Sequence, residues 1–208
     1  MTTVSKSLIA ALTPHWISLK LEDLKIMPNP IPEYLDAMLL PLIGSRMIEL
    51  GRKKTKIDGE WVTYKSYFES LGYDHVSIDI QGGYGALAFD LTQPIDIDPA
   101  DMVTNFGTTE HILNQPPVWE NIHDFCLING VVISMCPYPG DWWWHGEQYP
   151  TEAFYEQFAD RNGYRIEYMG IGNEAPRRNI DVRMSKVDDI PFTMPDLKTI
   201  YRNVRKQR

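Results

Sequence analysis

The chain has 208 residues, 43% of them hydrophobic and 23% charged, enough apolar mass for one sizeable core, which excludes disorder, collagen and a coiled coil. No window approaches 18 uninterrupted apolar residues, and MTTVSKSLIAALTPHW has too short an apolar run, with no small-residue cleavage site, for a secretory signal. A soluble, cytoplasmic protein with no membrane partner is expected. Twenty Lys and Arg against 28 Asp and Glu give a formal charge of -8, which disfavours nucleic acid unless a local basic patch overrides the field. Cys126 and Cys136 lie inside apolar runs, as buried reduced thiols do, rather than in a disulfide framework or zinc site.

Residues 1–43 carry two helical patterns broken by Pro14, Pro28, Pro30, Pro32 and Pro41 and read as a helical lead-in capping the domain. From there to residue 190, short apolar runs alternate with helical patterns, the sign of strand-helix units on a largely parallel sheet. The predicted strands are Arg46 to Leu50, His75 to Ile80, Ala86 to Leu91, Met102 to Phe106, Val131 to Cys136, Arg165 to Ile171 and Asn179 to Lys186. Helices are predicted over Val62 to Leu71, around Val118, Ile122 and Phe125 with an end near Gly130, and from Thr151 to the Asn162-Gly163 pair. Residues 191–208 form a C-terminal tail, whose last eight positions hold four basic residues and read as solvated.

Ligands of open parallel sheets bind beyond the carboxyl ends of the strands. Four ends carry suggestive groups: Glu49 with Gly51, Asp79 with Ile80, Asp90 with Leu91, and Asn105 with Phe106. A glycine lets backbone approach a ligand, and a carboxylate after the second strand suits ribose hydroxyls.

In that order, MIELG, VSIDI, AFDL and DMVTNFGTTEHI, followed by a helix and LINGVVISMCP, resemble the strand-end motifs of class I S-adenosylmethionine-dependent methyltransferases over roughly residues 45–187. The resemblance implies an α/β fold, a Rossmann-like three-layer sandwich with a seven-stranded, mostly parallel sheet whose last strand is antiparallel. It implies S-adenosylmethionine as cofactor, with Glu49 and Gly51 near its amino-acid end and Asp79 on the ribose. Ile80 would lie against the adenine, Asp90 at the adenine amine and Asn105 below the methionine portion, with Leu91 and Phe106 beside them also at the cofactor. The family's glycine-rich turn is missing. Arg52 to Lys56 follow Gly51 instead and read as a solvated basic loop in preference to a lid that pairs with an anionic group, and the interval from Glu49 to Asp79 exceeds the usual spacing of about 20 residues.

Methyl transfer to a hydroxyl or amine requires a positioned nucleophile and removal of its proton. Glu110, His111, Asp141, His145 and Tyr149 are the available groups, and His145, His111 and Glu110 are the catalytic candidates. Trp142, Trp143 and Trp144, just before His145, either line an acceptor pocket or pack their loop. No metal is expected, because His111, His123, Asp141 and His145 lack a recognised ligand spacing; His15 and His75 read as structural.

The expected activity is methyl transfer to an oxygen or nitrogen of a small-molecule or saccharide acceptor, with the oligomeric state open. A non-catalytic relative serving in binding or assembly is the alternative. RNA methylation is disfavoured by charge, and a nicotinamide oxidoreductase by the missing G-x-G-x-x-G.

Overall fold

The computed structural model describes residues 45–57, 60–172 and 178–203; the expected helical lead-in lies outside them. A seven-stranded sheet is assembled from β1 (Arg46–Leu50), β4 (Asp74–Asp79), β5 (Leu87–Ala88), β6 (Ala100–Phe106), β7 (Cys126–Pro137), β9 (Tyr164–Ile171) and β10 (Asn179–Lys186). Its order is β5-β4-β1-β6-β7-β10-β9. The pairings among β5, β4, β1, β6 and β7 are all parallel, while β10 runs antiparallel to both β7 and β9. The last strand of this sheet in chain order, β10, is thus antiparallel as expected, and it lies between β7 and β9, which forms the edge.

Side chains alternate across the sheet as strand geometry requires. Ile48, Leu50, Val103 and Val132 face one core, and Met47, Met102, Val131 and Ile133 face another. The first core is completed by α2 (Gln115–Phe125) and α3 (Glu152–Arg161), the second by α1 (Tyr64–Ser70). Trp119 of α2 is fully buried, its ring 4.6 Å from that of Phe154 and 5.4 Å from that of Phe158. Truncating such a residue to alanine costs about 3–5 kcal/mol.

Helix starts follow from capping chemistry. The hydroxyls of Thr63 and Thr151 accept hydrogen bonds from Ser66 N and Phe154 N, satisfying donors that the first turn leaves unpaired. The helix predicted from Val62 therefore begins two residues later. Cys126 caps α2 and opens β7 at once; β7 then bulges past β6, because Ala100 pairs with Cys126 but Met102 with Val131. Of the strand predicted over Ala86 to Leu91, Leu87–Ala88 pair with β4, and Ala86 makes an isolated bridge to Gly83.

Two small sheets depart from expectation. The basic stretch read as a solvated loop contains β2 (Lys54–Ile57), paired antiparallel with β3 (Glu60–Thr63). β8 (Gln148–Pro150) pairs with β11 (Ile200–Arg202), so the beginning of the expected solvated tail is a strand. Asn203 beyond it is buried, its amide donating to Gly146 O and to the Tyr149 hydroxyl, each at 3.1 Å. No helix among the described residues is long and apolar enough to cross a membrane.

Candidate active site

Because β1, β4, β6 and β7 are parallel, their carboxyl ends lie along one edge of the sheet. Beyond β6 the chain turns through a 3-10 helix, Thr109–His111, and the sequence on both sides pins that turn. Asn105 Oδ1 accepts from Thr108 N and Thr109 N, while its amide donates to Thr109 Oγ1 at 2.9 Å and Ser134 Oγ at 3.0 Å. On the helix side, Gln115 Nε2 donates to Thr109 O at 2.7 Å and to Ile112 O, and its oxygen receives the Trp119 indole N–H.

This turn delivers Glu110 and His111, and the loop after β7 brings His145 to them. Glu110 Oε1 lies 3.4 Å from His145 Nε2 and 3.7 Å from His111 Nε2, and the two imidazole rings are 4.7 Å apart. The Glu110 carboxylate is fully buried, and neither of its oxygens has a hydrogen-bond partner. The imidazoles are about two-fifths exposed, so the cluster opens to solvent on the histidine side.

Glycine permits the convergence. A Cβ at Gly146 would stand 2.7 Å from Glu110 Cγ and 2.6 Å from Tyr149 Cε1, closer than side chains approach. Glu147 N then donates to Glu110 O at 2.6 Å. The Tyr149 hydroxyl donates to Trp142 O and accepts from Gly146 N, and Asp141 forms a two-bond pair with Arg178, at 2.7 and 3.1 Å.

At the carboxyl end of β1, Gly51 adopts φ +81°, and a Cβ there would meet Thr108 Oγ1 at 2.6 Å. Thr108 Oγ1 donates to Leu50 O, locking the turn after β1 to the turn after β6. Asp79 closes β4 at the expected place. Its carboxylate accepts from Gln81 N at 2.8 Å and Arg52 N at 3.3 Å, with Arg52 Nε at 3.7 Å. Arg52 also donates to Gly82 O and Gln81 Oε1, each at 2.7 Å, and Lys53 Nζ donates to Gly107 O at 2.6 Å. Ile80 beside Asp79 is 70% exposed, an apolar face left open at the strand end.

No protein-family model matches the chain, and no curated protein matches it by sequence. Solved structures do match its fold. The Burkholderia thailandensis 1,6-didemethyltoxoflavin-N1-methyltransferase, bound to 1,6-didemethyltoxoflavin and S-adenosylhomocysteine, is 13% identical with TM-score 0.54, over 75% of this chain and 76% of that one. The N-methyltransferase NodS of Bradyrhizobium japonicum is also 13% identical with TM-score 0.54, over 77% of this chain and 99% of that one. A TehB-like S-adenosylmethionine-dependent methyltransferase of Corynebacterium glutamicum is 15% identical with TM-score 0.52, covering 74% and 85%.

The fold is that of the class I methyltransferases.

Within this fold the residues expected at the cofactor separate into two groups. Gly51, Asp79 and Ile80 lie at the carboxyl ends of β1 and β4, Gly51 buried, Asp79 partly covered by Arg52 and Ile80 exposed. The side chains of Leu91 and Phe106 pack in the two apolar cores, and the Asn105 amide braces the turn that carries Glu110. Asp90 is exposed but accepts from Thr92 N and Thr92 Oγ1, a turn-forming use of an aspartate. Glu49 is fully buried on the α1 face, accepting from Ser77 Oγ at 2.8 Å with His75 Nε2 at 3.4 Å. Burial pushes its carboxyl above the ordinary value, against the opposing pull of His75 and Ser77.

The other candidates resolve similarly. Asp141 is held below the usual carboxylate range by its hydrogen bonds from Arg178, and Tyr149 is fully buried as a loop brace. His123 Nε2 pairs with Ile190 O, remote from the cluster. The sequence carries no recognised metal-ligand spacing, yet Glu110, His111 and His145 place three ligand-type atoms within 4.8 Å of one another. Trp142 donates to Arg178 O and its ring lies 5.1 Å from that of His145, while Trp143 and Trp144 are exposed. A cavity of about 100 Å³ lies beside them, lined by Gly140, Trp142, Trp143, Tyr149, Tyr201 and Asn203; it is too small for a drug-sized ligand. Gln115, Gly146 and Asn203 were not singled out in the sequence, because their roles depend on contacts between distant segments.

Proposed function

We propose that the chain transfers the methyl group of S-adenosylmethionine to an oxygen or nitrogen of a small-molecule or saccharide acceptor. The observation that carries this reading is the placement of Asp79 and the Glu110-His111-His145 cluster on one edge of the sheet, beyond parallel strands. The named neighbours, among them a structure with S-adenosylhomocysteine bound, support it. Asp79 would accept from the ribose hydroxyls once Arg52 swings away, and Ile80 would pack on the adenine. Lys53, already at Gly107 O, would counter the charge of the cofactor's carboxylate where the glycine-rich turn is absent.

In the transfer, a lone pair of the acceptor forms the bond to the methyl carbon as the carbon–sulfur bond breaks. The bonding pair remains on sulfur, leaving neutral S-adenosylhomocysteine. His145 Nε2, exposed beside the buried Glu110, receives the acceptor's proton, and the carboxylate stabilises the resulting imidazolium. One observation favours the non-catalytic alternative: the guanidinium of Arg52 already occupies Asp79.

The test is transfer of a labelled methyl group from S-adenosylmethionine to panels of hydroxylated and amino compounds. Acceptor-dependent labelling that His145→Ala abolishes while S-adenosylhomocysteine binding is retained supports the reading. Labelling unchanged by that substitution removes His145 from the chemistry, and affinity without any acceptor-dependent transfer favours the non-catalytic alternative.

A further inference from the structure

We propose that Glu110, His111 and His145 form a binding site for one divalent transition-metal ion of the zinc type. The inference builds on the acceptor-side position given to this cluster by the proposed function, and it names the chemistry of that position.

Three observations carry it. The ligand set is two imidazoles and one carboxylate, a combination that suits zinc and other first-row metals and leaves a coordination position open. The spacing fits: bonds of about 2.0–2.2 Å to a tetrahedral ion put neighbouring ligand atoms about 3.4 Å apart, and the Glu110 oxygen stands 3.4 and 3.7 Å from the two imidazole nitrogens. All three ligand atoms lie within 4.8 Å of one another, so closing the set needs only a modest rotation of the exposed rings.

The third observation is the Glu110 side chain itself. A fully buried carboxylate whose two oxygens accept no hydrogen bond is costly unless a cation lies against it. Its position is nonetheless over-determined: Gly146 packs on its Cγ, Glu147 N holds its carbonyl, and Gln115 holds the turn. The scaffold thus fixes a buried anion at the floor of an opening walled by two imidazoles.

The open position of the ion faces solvent between His111 and His145, beside Trp142. An oxygen ligand fits it best: a hydroxyl, phenol or enol acceptor, whose proton the metal renders acidic. With the ion present His145 serves as a ligand, and the acceptor's proton leaves to solvent. The site therefore selects oxygen acceptors within the broader oxygen-or-nitrogen class.

The test uses the full, tag-free chain stripped with a chelator and titrated with Co²⁺, read by visible absorption, and then with Zn²⁺ against a chromophoric chelator. One Co²⁺ should bind per chain and be displaced by Zn²⁺. His145→Ala, His111→Ala and Glu110→Gln should each weaken binding by at least about 10- to 100-fold, the range that loss of an outer-shell partner already produces. The two histidine variants alter partly exposed side chains, and circular dichroism checks that they remain folded. Binding no tighter than millimolar, or equally tight in the histidine variants, overturns the proposal. Titration of the same samples with S-adenosylhomocysteine separates the two readings. Cofactor binding without metal binding sinks the metal site alone, and metal binding without cofactor binding sinks the methyl-transfer reading alone.

Discussion

Glu110 and His145 are 35 positions apart in the chain, yet the carboxylate oxygen of one lies 3.4 Å from the imidazole nitrogen of the other. Parallel pairing of β6 with β7 brings their carboxyl ends together, and the contact of Gly146 with Glu110 converts that proximity into a fixed geometry. The chemistry assigned to this edge depends on a glycine as much as on the titratable groups.

Gly146→Ala should therefore act on the cluster without altering any of its three members. The added methyl would overlap Glu110 Cγ and Tyr149 Cε1, an overpacking that costs about 1–3 kcal/mol. A fall in thermal stability with loss of His145-dependent labelling is expected, while S-adenosylhomocysteine affinity changes little. Wild-type stability in the variant would show that the 146–147 loop is not packed on Glu110.

Asp79→Ala should weaken S-adenosylhomocysteine binding by roughly 10- to 100-fold, about 1.5–3 kcal/mol for loss of hydrogen bonds to a charged acceptor. The change falls at the end of a strand and leaves both cores intact, so circular dichroism should be unaltered. Calorimetry on the variant decides the matter, since undiminished affinity would take Asp79 out of the cofactor site.

The Asp141–Arg178 pair gives a pH dependence of known sign. Hydrogen bonds from Arg178 hold the folded Asp141 carboxyl below its unfolded value, so its contribution is fully present above about pH 4 and is lost as pH falls through the depressed folded value. Trp142 donates to Arg178 O in the same loop, and tryptophan fluorescence should report loosening on acidification. Asp141→Asn should remove that transition; an unchanged acid profile would mean that the pair does not hold the loop.

Both thiols should be inert in the folded chain. Cys126 and Cys136 are buried, and burial pushes each thiol up to about 12, where almost no thiolate exists at neutral pH. Iodoacetamide should label neither natively and both in denaturant. Rapid native labelling of Cys136 would mean that the floor of the turn carrying Glu110 opens readily.

Much of the sheet was legible because its strands are short apolar runs bounded by turn residues; β1 and β10 begin and end where predicted. Thr151 marked the start of α3 because a threonine hydroxyl can cap only a few donors. The Arg52 to Lys56 stretch misled, since β2 and β3 form a ribbon without the alternating apolar residues that announce a strand. The tail misled for a related reason: Tyr201 and Arg202 are exposed, and they are held by pairing with Tyr149 and Gln148, with the Tyr201 ring stacked on that of Tyr149. At the site, the adjacency of Glu110 and His111 was visible in the chain. Their meeting with His145 was not, because it depends on the register of two strands and a loop packed on a glycine. For Leu91, Asn105 and Phe106 the motifs give a place in the chain, whereas their burial and the hydrogen bonds by which Asn105 braces the 105–109 turn depend on contacts with distant segments.

The most direct measurement is calorimetric titration of the purified chain with S-adenosylhomocysteine and S-adenosylmethionine, with NAD as control. The account predicts micromolar, one-to-one binding of the first two and none of NAD. Absence of heat with either adenosyl compound would contradict it, leaving Arg52 on Asp79 and the methyltransferase fold in a non-catalytic role.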